Sequence, residues 1–82
     1  MSSRKEQIFL EKLGQQIKSR ILLGYDSPYD FWSQHPELEM SRVTLNSVIN
    51  GRTDVRLTNL LKIARALQVG MAELLSFEKA KP

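Results

Sequence analysis

The sequence predicts an all-α fold, and three observations carry the prediction. Apolar residues recur at three- and four-residue spacing along 5–23 and again along 57–68, the period of helices that bury one face. Between them stand residues that start and stop helices: Ser27-Pro28, Ser41 and Gly51. No segment carries a strand signal.

Eighty-two residues make a single domain, 1–82, with one modest core, since a chain this short buries only about 60% of its unfolded surface. The first helix is expected at about 5–23. Phe9, Leu13, Ile17 and Ile21 lie four apart, Ile8, Leu10 and Leu22 widen the stripe, and Gly14 weakens it locally. A second helix follows at about 28–34, where Ser27 is an N-cap type, Pro28 suits the first helical position and Asp30 takes the acidic third place of a capping box. Phe31 and Trp32 are read as core or core-edge residues, because a chain with so few large aromatics needs them there. Pro36 disfavours helix at His35, so 35–39 is a turn, pinned by Leu38 and Met40.

The third helix, at about 42–50, is short and polar. Ser41 caps it and Gly51 supplies the left-handed stop. Leu45 and Val48 point together at a core, while Arg42, Val43, Asn46, Ser47 and Asn50 share the other side. That side has the chemistry for reading base edges: a guanidinium suited to guanine O6 and N7, amides and hydroxyls that donate or accept, and branched methyls to meet thymine. Exposed polar residues on a surface helix need no function, so context must decide. A polar loop, 52–56, precedes a fourth helix at about 57–68 marked by Leu57, Leu60, Leu61, Ala64 and Leu67, which Gly70 is expected to break. Met71, Leu74 and Leu75 mark a short fifth helix at about 71–76.

The net charge is +3 and the pI near 9.5, and the charge is unevenly spread. Residues 41–66 carry Arg42, Arg52, Arg56, Lys62 and Arg65 against Asp54 alone, whereas 24–40 carry Asp26, Asp30, Glu37 and Glu39 with no Lys or Arg. A basic flank beside a polar helix suits a nucleic-acid partner. There is no cysteine and a single histidine, His35, so neither a disulfide framework nor an ordinary zinc site is expected, and no cofactor is implied. The apolar run Ile8-Phe9-Leu10 is cut by Glu11, which leaves no signal-peptide core and no membrane span; a soluble, cytoplasmic protein is expected. Ser41, His35 and Asp54 read as cap, turn and loop residues rather than as a nucleophile, base and orienter, so an enzyme is not expected.

With these elements in place, the chain resembles the lambda repressor and Cro-like (Xre) family of helix-turn-helix regulators. Residues 41–51 look like that family's recognition helix, 57–69 like the helix after it and 71–75 like its fifth helix; Leu13-Gly14 and Ile17 also fall in the family's spacing. The resemblance implies a five-helix lambda-repressor-like domain that binds double-stranded DNA as a transcriptional regulator. It implies base reading by Arg42, Val43 and Ser47 with Asn46 nearby. Backbone contact or buttressing falls to Ser41, Thr44 and Asn50, and phosphate or minor-groove approach to Arg52 and Arg56. The chain departs from the family at Pro28, where a phosphate-binding glutamine is usual, and at Trp32 and 35–40, where a short glycine turn is usual. It departs also at Ile49, where a charged residue is usual, and at Arg56, where a capping Ser or Thr is usual.

One such helix reads too little DNA to select a site, so two copies on a pseudo-palindromic operator are expected, paired through Met71, Leu75 and Phe77 with Leu74 in the core. The competing class is a helical protein-interaction or dimerisation module whose third helix is merely solvated.

Overall fold

The computed structural model describes residues 4–52 and 54–76. In chain order come α1 (Arg4–Gly24), α2 (Pro28–Gln34), a 3-10 turn (Pro36–Leu38), α3 (Arg42–Ile49), α4 (Leu57–Leu67) and α5 (Met71–Leu74), with no strand among the described residues. The all-α reading is correct. One core joins every element: Leu13, Ile17 and Ile21 of α1, Phe31 of α2, Leu38 of the turn, Leu45 and Val48 of α3, Ile63 and Ala64 of α4, and Leu74 of α5. Each large aliphatic side chain so buried contributes about 1.5–3 kcal/mol.

α1 packs its Leu13, Gly14, Ile17 and Ile21 strip against α2, α3 and α5. That strip is narrower than the apolar pattern suggests. Ile8 and Leu22, expected to widen it, are 42% and 47% exposed, because they lie to the side of the line along which the shorter helices meet α1.

α2 starts as its sequence implies, with the Ser27 hydroxyl accepting the Asp30 N–H at 3.1 Å and Pro28 in the first turn. The reciprocal half of the capping box is displaced. The Asp30 carboxylate accepts from the backbone N–H of Asp26 and from the Gln34 amide instead of from Ser27. Phe31 is fully buried, and Trp32 is half-buried with its indole N–H donating to the Met40 carbonyl at 2.9 Å. The segment between α2 and α3 is a single 3-10 turn closed by Glu39 in the left-handed conformation (φ 53°), and Leu38 anchors it in the core.

Leu57 opens α4, as the apolar pattern implies, but is 72% exposed ahead of the residues that face the core, where Ile63 joins Leu60 and Ala64. The stop of α4 differs from expectation. Gly70 does not stop the helix. Gln68 takes the left-handed position (φ 61°), with its N–H bonded to the Arg65 carbonyl and that of Val69 to the Ala64 carbonyl, the paired bonds of a Schellman stop. Gly70 instead precedes α5 with an ordinary extended φ of −78°. α5 buries Leu74, and its Glu73 pairs with Arg20 of α1 at 3.0 Å.

Candidate nucleic-acid interface

α3 is held at both ends. At its start the Ser41 hydroxyl accepts the Thr44 N–H at 3.0 Å and donates to the Thr44 hydroxyl at 2.9 Å. At its finish Gly51 adopts φ 67°, its N–H bonds the Val48 carbonyl and that of Arg52 bonds the Ser47 carbonyl. This is again a Schellman stop, here on the residue type that adopts it without a Cβ penalty.

The carboxyl end of α3 lies directly on α1. A Cβ on Gly14 would fall onto the Ile49 carbonyl oxygen, with the Val48 carbonyl oxygen 2.7 Å away; one on Gly51 would come 2.8 Å from the Glu11 Cα. The Gln7 amide also donates to the Gly51 carbonyl at 3.0 Å. Two glycines let the backbones approach, and α1 thereby sets where α3 points.

Arg42, Val43, Asn46 and Asn50 are exposed along α3, Val43 at 73%; Thr44 and Ser47 are half-buried beside them, and Leu45 and Val48 are inside. The residues do not form one cluster. Ser41, Val43, Thr44 and Ser47 line a groove of about 590 Å³ together with Asp54, Val55 and Arg56 of the loop and Asn59 of α4. Asn50 lies on the other flank, in a smaller cleft with Glu11, Gln15 and Lys18 of α1. Arg42 turns toward α2, where its guanidinium sits over the Tyr29 ring, 4.5 Å from the centroid. Arg52 is exposed just beyond the stop of α3.

The two hydroxyls at the start of α3 differ in what they have left to donate. Ser41 donates its proton to Thr44, so of the two hydroxyls it is that of Thr44 that keeps a proton to donate. Glu39 also lines the groove, and its carboxylate is 3.7 Å from the Lys62 ammonium, so its charge is partly offset.

Three features of this region were not legible as site features. Tyr29, 52% exposed in α2, carries no signal beyond an aromatic near a helix start. Ile49 is 8% exposed and faces α1 through its backbone, which explains an apolar residue at a position where a charge is usual. His35 is a bridge: its Nε2 is 2.6 Å from the Tyr25 hydroxyl and its Nδ1 2.6 Å from the Glu37 carboxylate. One neutral tautomer satisfies both bonds, with Nδ1–H donating to Glu37 and Nε2 accepting from Tyr25. The hydrogen bond from His35 holds the Glu37 carboxyl below its ordinary range. Among the described residues no three potential metal ligands come together, and no helix is long and apolar enough to cross a membrane.

Met71 and Leu75, expected at a dimer interface, are half-buried and already rest partly on the core; Phe77 lies outside the described residues.

A capped polar helix, set on an all-α body behind a short helix and a turn, is the arrangement of a helix-turn-helix domain. A family model of the Cro/C1-type HTH DNA-binding domain matches residues 25–80, more than half of the chain, from just before α2 to beyond α5. The chain belongs to that family, and it is a DNA-binding regulatory domain. No curated protein and no solved structure gives a significant match.

Proposed function

We propose that the protein is a sequence-specific transcriptional regulator that works in the cytoplasm by occupying an operator as a homodimer, with 1–82 acting as one domain. Arg42, Val43, Asn46 and Ser47 read base edges in the major groove. Ser41, Thr44, Asn50, Arg52 and Arg56 hold or approach the sugar-phosphate backbone. The observation that carries the reading is the division of α3: Leu45, Val48 and Ile49 are buried while Arg42, Val43 and Asn46 face solvent, so a polar surface remains after every apolar residue but Val43 has been used in the core. A branched side chain left 73% exposed costs free energy in water and gains a contact on a thymine methyl.

Pairing follows from site size. One reading helix covers a few base pairs, so two copies with half-site centres about one helical turn apart are needed for selection in a genome. Met71, Leu75 and Phe77 supply the contact surface. An anisotropy titration of selected duplexes, with excess non-specific competitor, tests the specific binding, and sedimentation with and without duplex tests the assembly. Binding that competitor abolishes would sink the first. One protomer per saturated site, or selected sites lacking dyad symmetry, would sink the second.

A further inference from the structure

The Arg42 guanidinium is exposed, and among the described residues its only partner is the ring of Tyr29. That ring is itself supported. Trp32, one turn on in α2, lies 5.8 Å from it at a tilt of 32°, and the Trp32 indole is tied to the Met40 carbonyl, immediately ahead of the Ser41 cap. The same pair of aromatic residues therefore meets the entry to α3 twice, once at the Met40 carbonyl just ahead of its cap and once at its leading side chain, Arg42.

We propose that Tyr29 is a positioning residue for base reading, which presents the Arg42 guanidinium in one orientation before DNA arrives. The inference rests on the reading of Arg42 as a base contact. A free arginine on a helix surface samples many rotamers and loses that freedom on binding. A guanidinium attracted by its face to an aromatic ring keeps its N–H donors, which lie in its plane, available for the two acceptors of guanine. Contact with the ring through that face and bidentate hydrogen bonding through the edge use different parts of the same group. The contact also accounts for the exposure of Tyr29: a ring left half in solvent on α2 is explained if it carries the cation.

The test uses duplexes that the parent protein selects from a randomised pool. Tyr29→Leu should weaken binding to the selected duplex about two- to five-fold, the equivalent of an exposed cation–π contact. It should also relax preference at the same base pair whose preference Arg42→Ala erases. Tyr29→Phe, which keeps the ring, should behave like the parent, and in the Arg42→Ala background Tyr29→Leu should change nothing further. Ring-current shifts on the Arg42 side-chain protons of the free protein should vanish in Tyr29→Leu and persist in Tyr29→Phe. If Tyr29→Phe loses as much as Tyr29→Leu, the hydroxyl and not the ring is at work and the proposal is overturned. Additive losses with Arg42→Ala, or weakening equal on all sequences, overturn it too. A parent that enriches no sequence removes the base-reading assignment of Arg42 and this proposal with it, whereas a parent that enriches sites which Tyr29→Leu reads unchanged removes this proposal alone.

Discussion

Gly14 of α1 lies so close to Ile49 of α3 that a methyl group on Gly14 would fall onto the Ile49 carbonyl oxygen. Helix propensity alone would make Gly14→Ala a gain of roughly 0.5–1 kcal/mol. The contact reverses the sign, because a backbone carbonyl cannot rotate aside as a side chain can. Gly14→Ala should lose about 3 kcal/mol in urea unfolding as α1 and α3 are forced apart. Gly24→Ala, at the end of the same helix with nothing within 4 Å, should be neutral or slightly stabilising.

Gln68 ends α4 with φ 61°, where a Cβ is penalised. The residue is exposed, so glycine there gives up no burial. Gln68→Gly should raise stability by about 0.5–1 kcal/mol, read as a higher denaturation midpoint at unchanged slope. An unchanged or lower midpoint would mean that the side chain contributes more than its backbone strain costs.

Arg42→Ala should cost about 1–3 kcal/mol of specific binding and relax preference at one base pair, with the thermal midpoint little changed. The residue is exposed and supports nothing in the core. A variant that still binds its selected duplex as the parent does would place the reading face elsewhere on α3.

Arg52, just beyond α3, should act on phosphate. Arg52→Ala is expected to weaken specific and non-specific duplexes alike and to reduce the slope of log affinity against log salt by about 1. A slope identical to the parent's would leave Arg52 as a solvated surface charge.

Glu37 provides a pH test. The His35 hydrogen bond lowers its folded pKa below the 4.5 of an unperturbed glutamate, so the unfolded chain takes up the proton first as pH falls. The stabilisation is fully present above that ordinary value and is lost as pH drops through the folded one. His35→Ala should return the Glu37 carboxyl toward its ordinary midpoint in an NMR titration. A midpoint unmoved by that change would show that the bond to His35 is not its cause.

What the sequence disclosed was whatever is settled within a turn or two of chain. Ser27, Ser41 and Gly51 announce helix ends because each acts on backbone groups three or four residues away, and the α3 pattern separates Leu45 and Val48 from the polar side for the same reason. The exposure of Ile8, Leu22 and Leu57 has one origin: periodicity says that a residue shares a face, not how much of that face a neighbouring helix covers. Gln68 was hidden because a Gly two residues later is the more usual stop. Gly14 looked like a weakness in α1, since only the approach of α3 shows why no larger residue fits. Tyr29 met Arg42 across thirteen residues of chain, through a turn whose shape depends on Leu38 and Trp32.

Trp32 is the one tryptophan of the chain, and it sits where α2, the 3-10 turn and the start of α3 converge. Its emission therefore reports on a single place. An indole whose N–H is held by the Met40 carbonyl just ahead of α3 and whose ring lies beside Tyr29 of its own helix will shift its spectrum when either contact changes, with no dye or label attached. The protein carries its own optical gauge of the joint between the two helices of its helix-turn-helix.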